Sequence, residues 1–461
     1  MSNLQYAGEY KISELKLFTS SGNVVNLSQI YSSIIIYEDI FNSSMTGSIL
    51  LVDTNNIIMN MPITGQDFIS LKIETPGLEE HALDYTETTF TITKIDRKES
   101  LKNSDVIQLH FCSPEILRNN RVRVSKSYTS TIDKIVYDIL NNAKYINTNK
   151  ELFIEPTKGI RKIVTPNSHP FTIIKNLMRE SLSKEYESPH YLFYENAAGL
   201  HFRSLDSLYR QASTGFYHAG DLGTVDNKNK LEQEYFTVIS HQVSSNNDTL
   251  ANIVGGMLAS KITTYDIYQK NYSVDRHNYF GDFYKYKRIN YDNKGLDNPI
   301  YNEVPLDEFG NDLGNFDDSV IHLESKSTLN GADTMHYNEL GSNSYSPSGI
   351  PKSILKRKSK FMELNFGTIV NMKIKGNTTI MVGDIVEFEI PVVGSGHGKD
   401  FDVYNSGRYL ITKLKHIFHR PSRMHEIALS MSRDSYNEEL TKIKQLTEPK
   451  GDKGMLHTQF Y

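Results

Sequence analysis

Four short segments near the start of the chain return, in the same order, near its end. Gly47-Ser48-Ile49-Leu50 is matched by Gly367-Thr368-Ile369-Val370. Asp67 followed by Ile69, Leu71 and Ile73 is matched by Asp384 followed by Val386, Phe388 and Ile390. Ile92-Thr93-Lys94-Ile95 is matched by Ile411-Thr412-Lys413-Leu414, and Ile107-Gln108-Leu109 by Ile427-Ala428-Leu429. The offsets all lie between 317 and 320 residues. One match means little, because alternating strands resemble one another. Four in order at a nearly fixed distance indicate a duplication, and the distance is far too long for a solenoid. The chain therefore reads as two copies of one β-barrel or sandwich, with whatever lies between them folded separately.

The 461 residues are enough for about three domains. Residues 1–115 read as strands throughout. Tyr10–Ile12, Leu15–Phe18, Ile69–Glu74, Phe90–Ile95 and Val106–Phe111 are candidates, with polar turns at Asp53–Asn56 and Lys98–Ser100. The period then changes. Ile132, Ile135, Val136, Ile139 and Leu140 recur as one helix face, capped by Ser130 or Thr131. Pro170 opens a second helix with Phe171, Ile174, Leu177 and Met178 on its apolar face. Tyr191–Tyr194 and Leu200–Phe202 flank Asn196-Ala197-Ala198-Gly199 as a hairpin. Residues 116–225 therefore form a small α+β domain. Strands resume at 226–274, and again at 353–434 after a basic run at Lys352–Lys360. Between them, 275–352 is rich in Asn, Asp, Gly, Ser and Tyr with little periodicity, and reads as a polar surface insertion. The tail, 435–461, is polar. With 28 Tyr, 21 Phe and no Trp, composition also leans towards β. The fold class is mainly β with α+β: two similar antiparallel barrels flank the α+β domain, and a long irregular insertion interrupts the second.

No catalytic constellation stands out. Val393–Asp400 superficially matches a P-loop, but Val393 replaces the first Gly and Asp400 the Ser or Thr, so it reads as a hairpin loop. His416, His419 and His425 read as scattered surface histidines rather than metal ligands. Asp307, Glu308, Asp312, Asp317 and Asp318 lack the order of a calcium loop and read as a solvated acidic loop. Cys112, the single cysteine, is expected to be packed, and it excludes an intrachain disulfide or a Cys-based zinc site. No G-x-S-x-G elbow is present. Catalytic, cofactor and metal sites are each expected to be absent. The opening residues lack a secretory signal, and no apolar run approaches the length of a membrane span. Synthesis and folding in a reducing cytoplasm are the corresponding expectation. Net charge is −5, without the basic footprint of a nucleic-acid binder.

In this order of domains the chain resembles the central baseplate hub proteins of T-even-type contractile phage tails. That family is related in fold to late control protein D and the N-terminal part of VgrG. Tyr37-Glu38-Asp39-Ile40 leading to Met45–Leu50 resembles the opening hub strands. Pro166–Ile174, Tyr191–Asn196 and Gly199–Phe202 resemble the middle domain. Gly376–Asp384 and Tyr409–Lys413 resemble the end of the second barrel. The resemblance implies a homotrimeric ring whose six tube-type barrels match a sixfold tail tube or tube-initiator protein above and whose lower domains bind a trimeric spike protein below. The tape measure protein would occupy the lumen and DNA would pass only transiently. The site would be a virion tail baseplate assembled in the host cytoplasm. The net acidity fits a passage that repels DNA. Alternation makes Ser70, Lys72, Glu387 and Glu389 candidate outward or lumen-facing residues of the barrel strands. A baseplate-associated cell-wall hydrolase, or a glycan- or receptor-binding β-protein using the Tyr-rich stretch Tyr279–Tyr291, are the alternatives.

Overall fold

The computed structural model describes residues 6–54, 66–101, 104–220, 234–245, 248–266, 270–290, 299, 306–326, 350–392, 401–402 and 404–437. Val393–Asp400, most of the C-terminal tail and much of 275–352 lie outside these residues.

The first β unit is built from β1 (Lys11–Phe18), β2 (Val24–Asn26), β3 (Tyr31–Asp39), β4 (Thr46–Asp53), β5 (Phe68–Glu74), β6 (Leu83–Leu101) and β7 (Ser104–Cys112). All pair antiparallel, in the order β3-β4-β7-β6-β5-β1-β2. Alternation explains the core: Ile34, Ile36, Ile49, Leu51, Ile69, Leu71, Ile73, Phe90 and Phe111 point inward and are buried together. The 19-residue β6 serves two neighbours. Its first part pairs β5; after Thr91 it pairs β7, with register shifts near Ile92 and Asp96. The polar turn expected at Lys98–Ser100 is instead strand. Pairing to Ile107, Val106 and Asp105 satisfies its backbone whatever the side chains are.

The middle of the chain folds as α1 (Pro114–Arg121), β8 (Ser127–Thr131), α2 (Ile132–Asn141), β9 (Glu151–Ile154), β10 (Ile160–Val164), α3 (Pro170–Glu180), β11 (Tyr191–Asn196), β12 (Gly199–Ser204) and α4 (Leu205–Tyr209). Both expected helices are present, and Thr131 is the N-cap residue of α2. The short, polar α1 has no apolar stripe for sequence to reveal. The apolar faces of α2 and α3 close on the β11–β12 hairpin, burying Ile135, Ile139, Phe171, Leu177, Phe193 and Phe202 in one cluster.

The second β unit comprises β13 (Ser213–His218), β14 (Val238–Ser245) and, after an intervening lobe, β18 (Thr368–Lys375), β19 (Ile385–Glu389), β20 (Gly407–His419) and β21 (Met424–Arg433). Its order is β14-β18-β21-β20-β19-β13. Strand for strand this repeats β3-β4-β7-β6-β5-β1. The one departure is that β13 runs parallel to β19 whereas β1 is antiparallel to β5. The duplicated segments thus lie on equivalent strands and three of the four keep their register, whereas the ladders make Ser48 the equivalent of Asn371 rather than Thr368. A single antiparallel pairing, β20 on β3, joins the units into one 13-stranded sheet.

The lobe differs from expectation. It holds α5 (Thr249–Gly255), β15 (Ala259–Asp266), β16 (Asn271–Asn278), α6 (Tyr279–Phe283), β17 (Ile321–Lys326) and α7 (Ile350–Phe366). Residues 259–266 were expected in the second β unit; they pair instead with β16 and β17 in a separate three-stranded sheet. Nor is the start of the supposed polar insertion all surface. Tyr279, Phe283, Arg288, Ile289 and Asn290 are buried. The basic run at Lys352–Lys360 lies within α7, where Lys360 reaches the buried carboxylates of Glu363 and Asp434, and Arg288 does the same. Paired this way, charged residues become core. Among the described residues no helix is long and apolar enough to cross a membrane.

Candidate functional site

Eight strands, in the order β14-β18-β21-β20-β3-β4-β7-β6, turn one face to the two cores; among the described residues the other face is open over its middle, while Ser48 and Cys112 on it are buried. Register defines the rungs of that open face. One runs Gln242, Asn371, Ser430, Lys413, Asp39. The next runs Ser240, Lys373, Ala428, Lys415, Tyr37, Thr46, Cys112. A third reaches from Ile417 through Ile35, Ser48 and His110 to Lys94. The face is hollow in the middle: Tyr37, Asp39, Asn371, Lys373, Lys413 and Lys415 line an open depression of about 770 Å³.

Most charges on this face are matched. Lys373 lies 2.8 Å from Glu426, Lys94 3.0 Å from Asp96, Lys375 2.9 Å from Glu234 and Lys413 3.8 Å from Asp39. Lys415 Nζ lies 5.5 Å over the Tyr37 ring. The chain's net acidity is therefore not a property of this face, where lysines slightly outnumber acids.

The four residues singled out from alternation lie elsewhere. Ser70 and Lys72 are on β5, Glu387 and Glu389 on β19, both outside the eight-strand run. Ser70 is buried and donates to Glu14 Oε1, so it does not face outward. Lys72 pairs with Asp84 at 2.8 Å, and Glu389 lies 3.2 Å from His218 Nδ1; Glu387 is half-buried. The lysines of the open face carry the same alternation signal. Choosing among strands required knowing which pair with which.

Two strand flanks of this run have no neighbour among the described residues. β14 pairs only with β18, and β6 beyond Thr91 pairs only with β7. In the second unit the segment equivalent to this part of β6, Lys413–His419, is covered by β3.

Buried carboxylates tie the units together. Glu38 on β3 accepts from Ala197 N of the β11–β12 hairpin at 3.1 Å and from Val382 N of the second unit at 3.0 Å. Full burial lifts its carboxyl to about 8, and nearby Asp384 and Glu195 push the same way. Glu195 accepts from Met45 N at 3.0 Å and Ser113 Oγ at 2.7 Å, and meets Lys150. Burial raises it as well.

Ser188, His190 and Asp206 have the composition of a hydrolytic triad without its geometry. Ser188 Oγ meets the same Nδ1 that faces Asp206, and donates to that carboxylate itself. All three are buried. Desolvation holds His190 down at about 4. The histidines expected at the surface also differ. His419 is exposed, but His416 and His425 are fully buried, with Nδ1 of the first 3.0 Å from Nε2 of the second. Their strands turn alternate residues into the core, and the imidazoles pack around Phe418. Cys112 is buried, and desolvation pushes its thiol up to about 11. Among the described residues no group of three or more His, Cys, Asp or Glu is arranged to hold a metal. Within the Tyr-rich stretch, Tyr279 is buried against Glu363 and Tyr286 packs on His190, while Tyr284 is exposed.

No family model matches the chain. It is 24% identical over 404 residues to the probable baseplate hub protein gp334 of Vibrio phage KVP40, spanning 83% of this chain and 85% of that protein. In fold it is similar to a tail protein of Neisseria meningitidis MC58, with a TM-score of 0.52 and 10% identity over 92% of this chain and 97% of the other. A 43 kDa tail protein of prophage MuSo2 from Shewanella oneidensis aligns over 91% of this chain and 98% of its own at 10% identity, with a TM-score of 0.47. The chain and the Neisseria protein share a β-rich fold.

Proposed function

We propose that this chain is a structural hub of a contractile-tail baseplate, and that three copies close into a ring of six similar β units. Similarity to a baseplate hub protein along most of both chains supports the role. The observation that carries the ring is the β20·β3 pairing, because it is a template for contact between successive units. Repeating it between chains sets the outer flank of β6 beyond Thr91 against the outer flank of β14 in the next copy. The register follows from the duplication. Glu99 is equivalent to Ile417 and Gln242 to Ile35, and Ile417 pairs with Ile35. Head-to-tail contacts of this kind close into a ring when the rotation permits. Closure would also cover these two flanks, and uncovered strand flanks invite aggregation.

In such a ring the eight-strand face would line the lumen, with three chains supplying twenty-four strands. Its small, polar and mostly ion-paired residues suit passage of a tape measure protein and then DNA. Six similar units above suit a sixfold tube, and three appended domains below suit a trimeric spike. The role is structural rather than enzymatic. Assembly in the host cytoplasm and residence in the virion tail baseplate follow from it.

The test is a chain carrying Glu99→Cys and Gln242→Cys, oxidised and run without reductant. The reading expects a ladder ending at three chains, absent from either single variant. Buried Cys112 does not compete. Trimers that form without this cross-link would refute the edge pairing, and a chain that stays monomeric would refute the ring.

A further inference from the structure

The middle of the chain is basic within an acidic protein. Residues 113–220 hold 15 Lys and Arg against 10 Asp and Glu, in a chain of net −5. Four of those acids, Glu115, Glu155, Glu195 and Asp206, are buried, so the exposed surface is more basic still. Arg121, Arg123, Lys126 and Lys162 are exposed around the β8–β10 ribbon, beside Val164, which is 71% exposed. Arg123 is steadied by donating to Asn167 O at 3.0 Å.

One stretch of the lobe has the opposite character. Residues 306–326 carry six acids against one lysine, with Asp317 and Asp318 paired to Arg276 and Lys261 of the same lobe. At its tip, Asp307 accepts from Phe309 N at 2.9 Å and Asn311 N at 2.7 Å, which fixes a turn. That turn presents Glu308 and Phe309, the latter 81% exposed.

Placement in the sheet brings the two features into relation. The middle domain leaves the sheet after Cys112, on the rung of Thr46. The lobe leaves it after Ser245 and returns at Thr368, one residue beyond Ile369, the equivalent of Thr46. Both hang from the same end of their units, so around a ring they alternate. Each middle domain already touches its own lobe near the C-terminal end of α3, where Arg357 donates to Tyr191 O and Pro189 O. The basic flank lies at the other end of α3, about 16 Å away for eleven residues.

We infer that the basic flank of each middle domain receives the acidic, Phe309-bearing lobe of the next copy. This rests on the ring reading and adds a second contact below the strand edges. Exposed charge pairs set association rate and partner choice more than they set affinity, and an aromatic side chain at the centre supplies an anchor.

The experiment is sedimentation velocity of the full chain across a concentration series at low and high salt. Arg121→Glu with Arg123→Glu is expected to raise the midpoint of assembly by about tenfold or more at low salt, with the circular dichroism spectrum unchanged. Adding Glu308→Lys is expected to recover part of that loss, which general damage would not allow. Phe309→Ser is expected to weaken assembly at both salt concentrations. Charge-reversed chains that assemble like the unmodified protein would overturn the inference and leave the ring standing. An unmodified chain that never assembles overturns both.

Discussion

Replacing Glu38 by Gln tests whether one buried carboxyl fastens three parts of the molecule together. Folding lifts this group from 4.5 to about 8, so the folded state takes up a proton between those values. The sign follows from linkage. The contribution to stability is full below pH 4.5, falls as pH rises towards 8, and is lost above it. Such a displacement amounts to at most about 5 kcal/mol. Gln cannot ionise, so the variant lacks this dependence. It also presents an amide NH2 where the carboxyl accepts from either Ala197 N or Val382 N, and one buried N–H left unpaired costs about 1–3 kcal/mol. Near pH 5.5 the variant should therefore be the less stable protein by that amount. Near pH 9 the gap should close or reverse, because the unmodified chain then holds a buried charge. Urea unfolding followed by tyrosine fluorescence measures this, since the chain has 28 Tyr and no Trp. Taking the difference between the two proteins cancels the other titrating groups, apart from any coupling to Asp384 and Glu195. Parallel stability profiles from pH 5.5 to 9, offset by a constant, would refute the reasoning.

Other substitutions probe the remaining joints. Gly47→Ala would set a Cβ 2.2 Å from Phe111 Cζ and 2.5 Å from Ile35 O, so it should cost about 1–3 kcal/mol or more in denaturant unfolding. The buried pair His416 and His425 is held neutral, with His416 down at about 3. Stability should therefore fall as pH drops below about 6.5, the ordinary histidine value, and His416→Leu with His425→Leu should flatten that acid limb. Lys413→Glu with Lys415→Glu should leave thermal unfolding nearly unchanged, because both side chains lie on the open face; a large loss of stability would contradict that placement. Lys150→Met would remove the cation facing Glu115 and Glu195, and stranding those buried acids should cost about 3–5 kcal/mol in the same unfolding assay.

Periodicity made the strands, the two apolar-faced helices and the duplication legible, because each depends on a local repeat of side chains. It could not show that the units share one sheet, since the β20·β3 pairing joins residues nearly four hundred positions apart. The lobe is not legible in the sequence because its core is built from paired charges. Arg288, Lys360, Glu363 and Asp434 look like surface residues until they meet. The candidate face was half legible. Alternation separates Lys413 and Lys415 from Leu414 and His416 as cleanly as it separates Lys72 from Ile73. Only the pairing order tells that β20 belongs to the eight-strand run and β5 does not.

The central claim is that the chain closes on copies of itself through strand edges. Electron microscopy of the purified, untreated protein at micromolar concentration tests it most directly. A ring of three chains showing six similar lobes around an open centre, with continuous density from β6 of one copy to β14 of the next, is the expected result. Single particles of one chain at every concentration, or a ring in which those two edges face solvent, would contradict it.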